Sequence, residues 1–210
     1  RAYATNQLGT GYGQVLSFQT IPLAPAAWGT MSATTTSVIL SWSAAPGATK
    51  YNVYRGGSLI ATVNSPTLSY TDSSSLSANT QYTYAVRSEN VSGVSPDQLS
   101  QGFWTLASAP SGLSASAQAA AAAGQQSVKL DWTASGGGVT GYKLYRNGIL
   151  IKEVSGGATL TWTDTGLTGA TSYSYTLSAV NPSGESAFSG SVSAGTQPDP
   201  PTGLGIVHLA

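Results

Sequence analysis

Apolar and polar residues alternate along this chain with a period of two, in short runs. In Val38-Ile39-Leu40-Ser41-Trp42, positions 38, 40 and 42 share one face. In Val128-Lys129-Leu130-Asp131-Trp132 the intervening positions are Lys129 and Asp131, so one face is apolar and the other wet. Tyr51/Val53, Tyr142/Leu144, Tyr82/Tyr84/Val86 and Tyr173/Tyr175/Leu177 repeat the pattern. Turn formers separate the runs: Pro46-Gly47, Gly56-Gly57, Ser65-Pro66, Gly136-Gly137-Gly138, Asn147-Gly148 and Gly156-Gly157. Asn147-Gly148 predicts a two-residue hairpin between 142–146 and 149–154, because both central positions of a type I′ turn favour positive φ. The alanines at 119–123 are too few for a stable helix and read as an enlarged loop. Short strands at intervals of about ten residues, with no amphipathic helix, predict two antiparallel sheets packed face to face.

The runs recur as a set. Val38 to Trp42 is answered by Val128 to Trp132, and Tyr51-Asn52-Val53-Tyr54-Arg55 by Tyr142-Lys143-Leu144-Tyr145-Arg146. Tyr70-Thr71-Asp72 matches Trp162-Thr163-Asp164. Leu76 matches Leu167, Tyr82-Thr83-Tyr84 matches Tyr173-Ser174-Tyr175, and Asn90 with Gly93 matches Asn181 with Gly184. So many matches in one order define a unit of about 91 residues. The same spacing reads the ends: Asn6 and Gly9 align with Asn90 and Gly93, and Pro201-Thr202-Gly203-Leu204 with Pro110-Ser111-Gly112-Leu113. The expected organisation is the end of one unit at 1–20, with a last strand over 13–20, complete units at 21–106 and 107–197, and the first strand of another at 198–210. An isolated pair of strands is marginal in water, so the native polypeptide is expected to extend beyond both stubs.

These residues resemble the fibronectin type III module. The resemblance is carried by Trp42 and Trp132 on the second strand, the Tyr51 and Tyr142 segments on the third, and the pairs Leu76…Tyr82 and Leu167…Tyr173. It implies an all-β chain: two seven-stranded immunoglobulin-like β-sandwiches in tandem, with partial modules at both ends. It also implies a structural core of Trp42, Tyr51, Leu76, Tyr82, Trp132, Tyr142, Leu167 and Tyr173, in which the Tyr82 and Tyr173 hydroxyls return to the backbone of the preceding loop. The segments at 141–148 and 1–6 are similar to bacterial modules of secreted polysaccharide-degrading enzymes, adhesins and surface layers. At the start of the first complete unit Ala26-Ala27-Trp28-Gly29 replaces the usual Pro-x-Gly-Leu, which leaves the register of that strand open.

Composition narrows the chemistry. Eight Lys and Arg balance eight Asp and Glu, and charged residues are 8% of the chain. The cations stand singly, which excludes the clustered basic surface that nucleic acid requires. No cysteine is present, so neither disulfides nor thiolate metal sites form. No apolar run approaches the length of a membrane-spanning helix. His208 has no carboxylate or cysteine company. Asp72 and Asp164 occupy equivalent Thr-Asp positions, where a carboxylate accepting turn N–H bonds is expected, and standing in separate units they make no glycosidase pair. Asp131 and Glu185 read as solvated surface, and Arg55 and Arg146 as guanidinia lying over neighbouring tyrosines. Asn90-Val91-Ser92 fits the glycosylation pattern. Trp28, Trp104 and Trp162 are the aromatic candidates for carbohydrate contact.

No catalytic, cofactor or metal residues are expected, and the chain reads as no enzyme. The first functional expectation is an extracellular, secreted or cell-surface structural array, as in an adhesin or filament. The alternative is an accessory region of a secreted polysaccharide hydrolase with weak carbohydrate binding. The partners expected are neighbouring modules of the same longer chain, with other copies of itself or a polysaccharide as further candidates; nucleic acid and membrane insertion are not among them.

Overall fold

A computed structural model describes residues 2–14, 18–96, 101–120 and 124–199. Its described elements are all strands. The first two, β1 (Tyr3–Asn6) and β2 (Gly9–Tyr12), pair antiparallel around an Asn6–Gly9 turn. The last strand expected over 13–20 is not formed at the described positions 13, 14 and 18–20; Gly9–Tyr12, directly after the turn, takes the pairing instead. The expected first strand around 204–209, and His208 with it, lies outside the described residues.

Between Ser32 and Trp104 run β3 (Ser32–Ala33), β4 (Val38–Ser41), β5 (Lys50–Arg55), β6 (Ser58–Asn64), β7 (Ser69–Asp72), β8 (Gln81–Asn90), β9 (Gly93–Val94) and β10 (Gln101–Trp104). They form one sheet in the order β10-β8-β5-β6, with β9 also on β8, and a second in the order β3-β4-β7. The next set is β11 (Ser111–Gln118), β12 (Gln126–Thr133), β13 (Gly141–Arg146), β14 (Ile149–Ser155), β15 (Thr161–Leu167), β16 (Ser172–Asn181), β17 (Gly184–Glu185) and β18 (Val192–Gly195). Its sheets are β14-β13-β16-β17, with β18 also on β16, and β11-β12-β15. Each set is a sandwich of a three-stranded and a five-stranded sheet. The open register at the first unit's start resolves as a single bridge, Trp28 opposite Trp42, ahead of the two-residue β3.

The two-residue turns follow the local chemistry. Asn147 and Gly148 take φ of 50° and 79°, and Arg146 lies opposite Ile149 across the hairpin. Alternation then decides what is buried. Val38 and Leu40 are buried and Ile39 is not; Val128, Leu130 and Trp132 are buried and Lys129 is not. Contacts gather the described chain into two compact units. One lies within Arg1–Met31, Leu40–Tyr70 and Thr83–Gly102, the other within Ser32–Ile39, Thr71–Tyr82 and the chain from Phe103 onward. In the second unit Val128, Leu130, Trp132, Tyr142, Leu144 and Tyr175 belong to one buried cluster.

Candidate functional site

Of the expected core residues, Trp42, Tyr51, Leu76, Trp132, Tyr142 and Leu167 are buried. Tyr82 and Tyr173 are half-buried, because their rings lie where β8 and β16 begin and their hydroxyls reach loops at the margin. The Tyr82 hydroxyl accepts the Ser77 N–H at 2.8 Å, and that of Tyr173 accepts the Thr168 N–H at 3.1 Å. A second tyrosine in each set closes another loop: Tyr51 accepts the Ala45 N–H at 3.0 Å and Tyr142 the Ser135 N–H at 3.2 Å. Each of these two rings packs tilted or edge-on against its tryptophan, Trp42 or Trp132, with centroids 5.6 and 5.4 Å apart.

The acidic residues are structural ties. Asp72 accepts the Ser74 N–H at 3.1 Å, the turn role expected of it. Asp164 differs from that expectation. It is 4% exposed and accepts three bonds, two from Arg146 at 2.9 and 3.1 Å and one from the Tyr175 hydroxyl at 2.9 Å. Burial, then the bond to Asp164, holds the Tyr175 hydroxyl far above the ordinary phenol range. Arg146 also lies over the Tyr173 ring at 5.5 Å, as Arg87 does over Tyr54 at 5.4 Å. Asp131 is a surface residue paired with Lys129 at 2.9 Å. Glu185 is not the solvated residue expected: Ser178, Tyr145 and Lys143 donate to it at 2.6, 2.8 and 3.0 Å. Burial raises the Glu185 carboxyl, but these three donors outweigh it and hold the group below the usual glutamate value.

One pairing recurs that sequence reasoning did not foresee. In the β8–β9 turn, Asn90 Oδ1 accepts the Ser92 N–H at 2.8 Å while its Nδ2 donates to the Thr20 carbonyl at 2.7 Å, and the Ser92 hydroxyl donates to the Gln19 carbonyl. The β16–β17 turn repeats this. Asn181 Oδ1 accepts the Ser183 N–H at 3.0 Å, its Nδ2 donates to the Thr105 carbonyl at 2.8 Å, and the Ser183 hydroxyl donates to the Trp104 carbonyl. Each turn therefore clamps two successive carbonyls of an extended segment. Asn90 is 5% exposed with its amide donating, so the apparent glycosylation signal is a structural turn. The available signal was the recurrence of Asn-x-Ser-Gly at one register of both units.

The three aromatic candidates do not come together into one face. Trp28 bridges Trp42, and Trp162 packs against the buried cluster of the second unit. Trp104, at the end of β10, is half-buried and lines a groove. Among the described residues no group of His, Asp and Glu could hold a metal ion, and no helix is long and apolar enough to cross a membrane.

No family model matches the chain. It is 34% identical over 192 residues to exoglucanase B of Cellulomonas fimi, covering 82% of this chain and 17% of that protein. Endoglucanase B of the same organism is 32% identical over 179 residues, 79% of this chain and 17% of the relative. Chitinase D of Niallia circulans is 47% identical over 73 residues, 33% of this chain and 13% of the relative. The chain thus spans under a fifth of the length of these relatives, and the segment itself is non-catalytic. Among solved structures, the chicken CNTN1 FN1–FN3 domains cover 93% of this chain, and 74% of theirs is covered, at 20% identity and a TM-score of 0.50. Repeat, strand order and structural likeness lead to one description: the chain has the fold of tandem fibronectin type III β-sandwich modules.

Proposed function

We propose that this chain is the accessory, non-catalytic region of a secreted polymer hydrolase, a pair of modules at 21–106 and 107–197 that spaces a catalytic domain from its neighbours outside the cell. The observation that carries this reading is the likeness to exoglucanase B, which runs through 82% of this chain yet occupies 17% of that enzyme. A match of that shape belongs to a shared region, and similar partial matches to an endoglucanase and a chitinase support it. Of the two functions expected from the sequence, these relatives favour the accessory region over the surface array. The segment's partners are then the domains before and after it in the same chain.

The natural reading frame tests this. A carboxylate-bearing catalytic domain in the same frame is the expected result, and deletion of residues 21–197 should leave hydrolysis of a soluble substrate unchanged while slowing attack on the insoluble polymer. A frame consisting of further modules and a surface anchor would overturn it.

A further inference from the structure

Among the described residues, the five-stranded sheet of each sandwich ends on a strand paired on one side only: β6 on β5 in the first, β14 on β13 in the second. Such an edge presents backbone N–H and C=O groups that another strand can pair with. The two edges share one register. Val53 lies opposite Ala61 and Asn52 opposite Thr62, as Leu144 lies opposite Lys152 and Lys143 opposite Glu153. Both pairings also shift register at the same place, after Val53 and after Leu144. Their side chains differ. Lys152 stands opposite the buried Leu144, and a charge on that side of an edge strand loses its water when a further strand arrives. β6, Ser58-Leu59-Ile60-Ala61-Thr62-Val63-Asn64, has no charged residue and no proline, and Ile60, Thr62 and Val63 are β-branched. Leu59 is 55% exposed, and Ile60, Ala61 and Val63 are half-buried.

We propose that β6 is a strand-addition edge whose occupant is β6 of a second copy of this chain, paired antiparallel about Thr62. Residues directly opposite in an antiparallel pair share a face and interact, so a two-fold axis at Thr62 sets Thr62 against Thr62 and Ala61 against Val63. Every pair is then uncharged, and the central one is a threonine pair, which antiparallel sheets favour. The strand is thus complementary to itself, whereas an arbitrary peptide would match only its backbone. The same pairing of β14 sets Glu153 against Glu153, like charges directly opposite, which closes that edge to its own copy. A contact of one short strand is small, so the dimer is weak and exchanging.

Serial dilution of the 15N-labelled segment tests this. Concentration-dependent shifts centred on the amides of residues 58–64, fitting a monomer–dimer equilibrium with a Kd in roughly the millimolar range, are expected. Thr62→Glu and Thr62→Lys each put like charges opposite one another across the axis and should each weaken self-association about fivefold or more. An equimolar mixture of the two variants sets Glu against Lys and should regain association at least as strong as the parent's. Both variants lose the Thr62 hydroxyl's 2.8 Å bond to Asn52, so a defect of folding would not be repaired by mixing. Absence of concentration-dependent shifts in the parent, shifts centred on other strands, or a mixture that associates no better than its separate components would overturn the pairing while leaving the spacer reading standing.

Discussion

A tyrosine hydroxyl that accepts a loop N–H contributes only the net value of one hydrogen bond, because water competes for both partners. Tyr82→Phe and Tyr173→Phe, which release the Ser77 and Thr168 amides to solvent at half-buried positions, should each cost about 1 kcal/mol in urea unfolding. Glu185 predicts a pH effect. Its carboxyl is held below the usual value by Ser178, Tyr145 and Lys143, so its contribution is complete above the ordinary glutamate range of about 4.3. That contribution is lost as pH falls through the lowered folded value. Lys143, raised by Glu185, adds stability that is lost only as pH rises through its own folded value. Unfolding midpoints should therefore fall on acidification more steeply for the parent than for Glu185→Gln; parallel curves would contradict the assignment.

At the scale of the elements, the two Asn-x-Ser turns place the largest demand on single side chains. Asn181→Ala removes bonds to the Thr105 carbonyl, to Asn79 and from the Ser183 N–H, and should destabilise by about 2–3 kcal/mol. Faster amide exchange and proteolysis at residues 103–106 should accompany it, and unchanged protection there would show the clamp to be idle. The strands themselves were legible because alternation is local: Val38/Leu40 and Val128/Leu130 declare their buried face within five residues. The Asn147-Gly148 turn was legible for the same reason. Asp164 was not, since its partners Arg146 and Tyr175 lie 18 and 11 residues away in the chain and only the fold brings them to it. The clamps were half legible, as a recurring motif whose partner carbonyls lie about 70 residues earlier in the chain.

For the whole molecule, each sandwich closes its own pair of sheets, and the tryptophan of each, Trp42 or Trp132, is buried. Trp132, 5% exposed within the cluster of the second unit, should cost about 3–5 kcal/mol when replaced by Ala. That is a large share of the stability of one domain. The expected outcome in a denaturant series followed by NMR is early loss of signals from 111–195 with those of 40–70 and 83–94 retained; simultaneous loss would argue against independent units. The hairpin at Asn147 carries a different kind of consequence. Its side-chain Oδ1 accepts the Ser174 N–H at 2.9 Å and its backbone is left-handed, so this one amide both sets the turn and ties it to β16. Asn followed by Gly is also the dipeptide whose side chain cyclises and hydrolyses most readily, and Asn is among the thermolabile residues. The hairpin is therefore the molecule's chemical clock: the geometry that holds Asn147 in place sets how long the protein keeps its original covalent form.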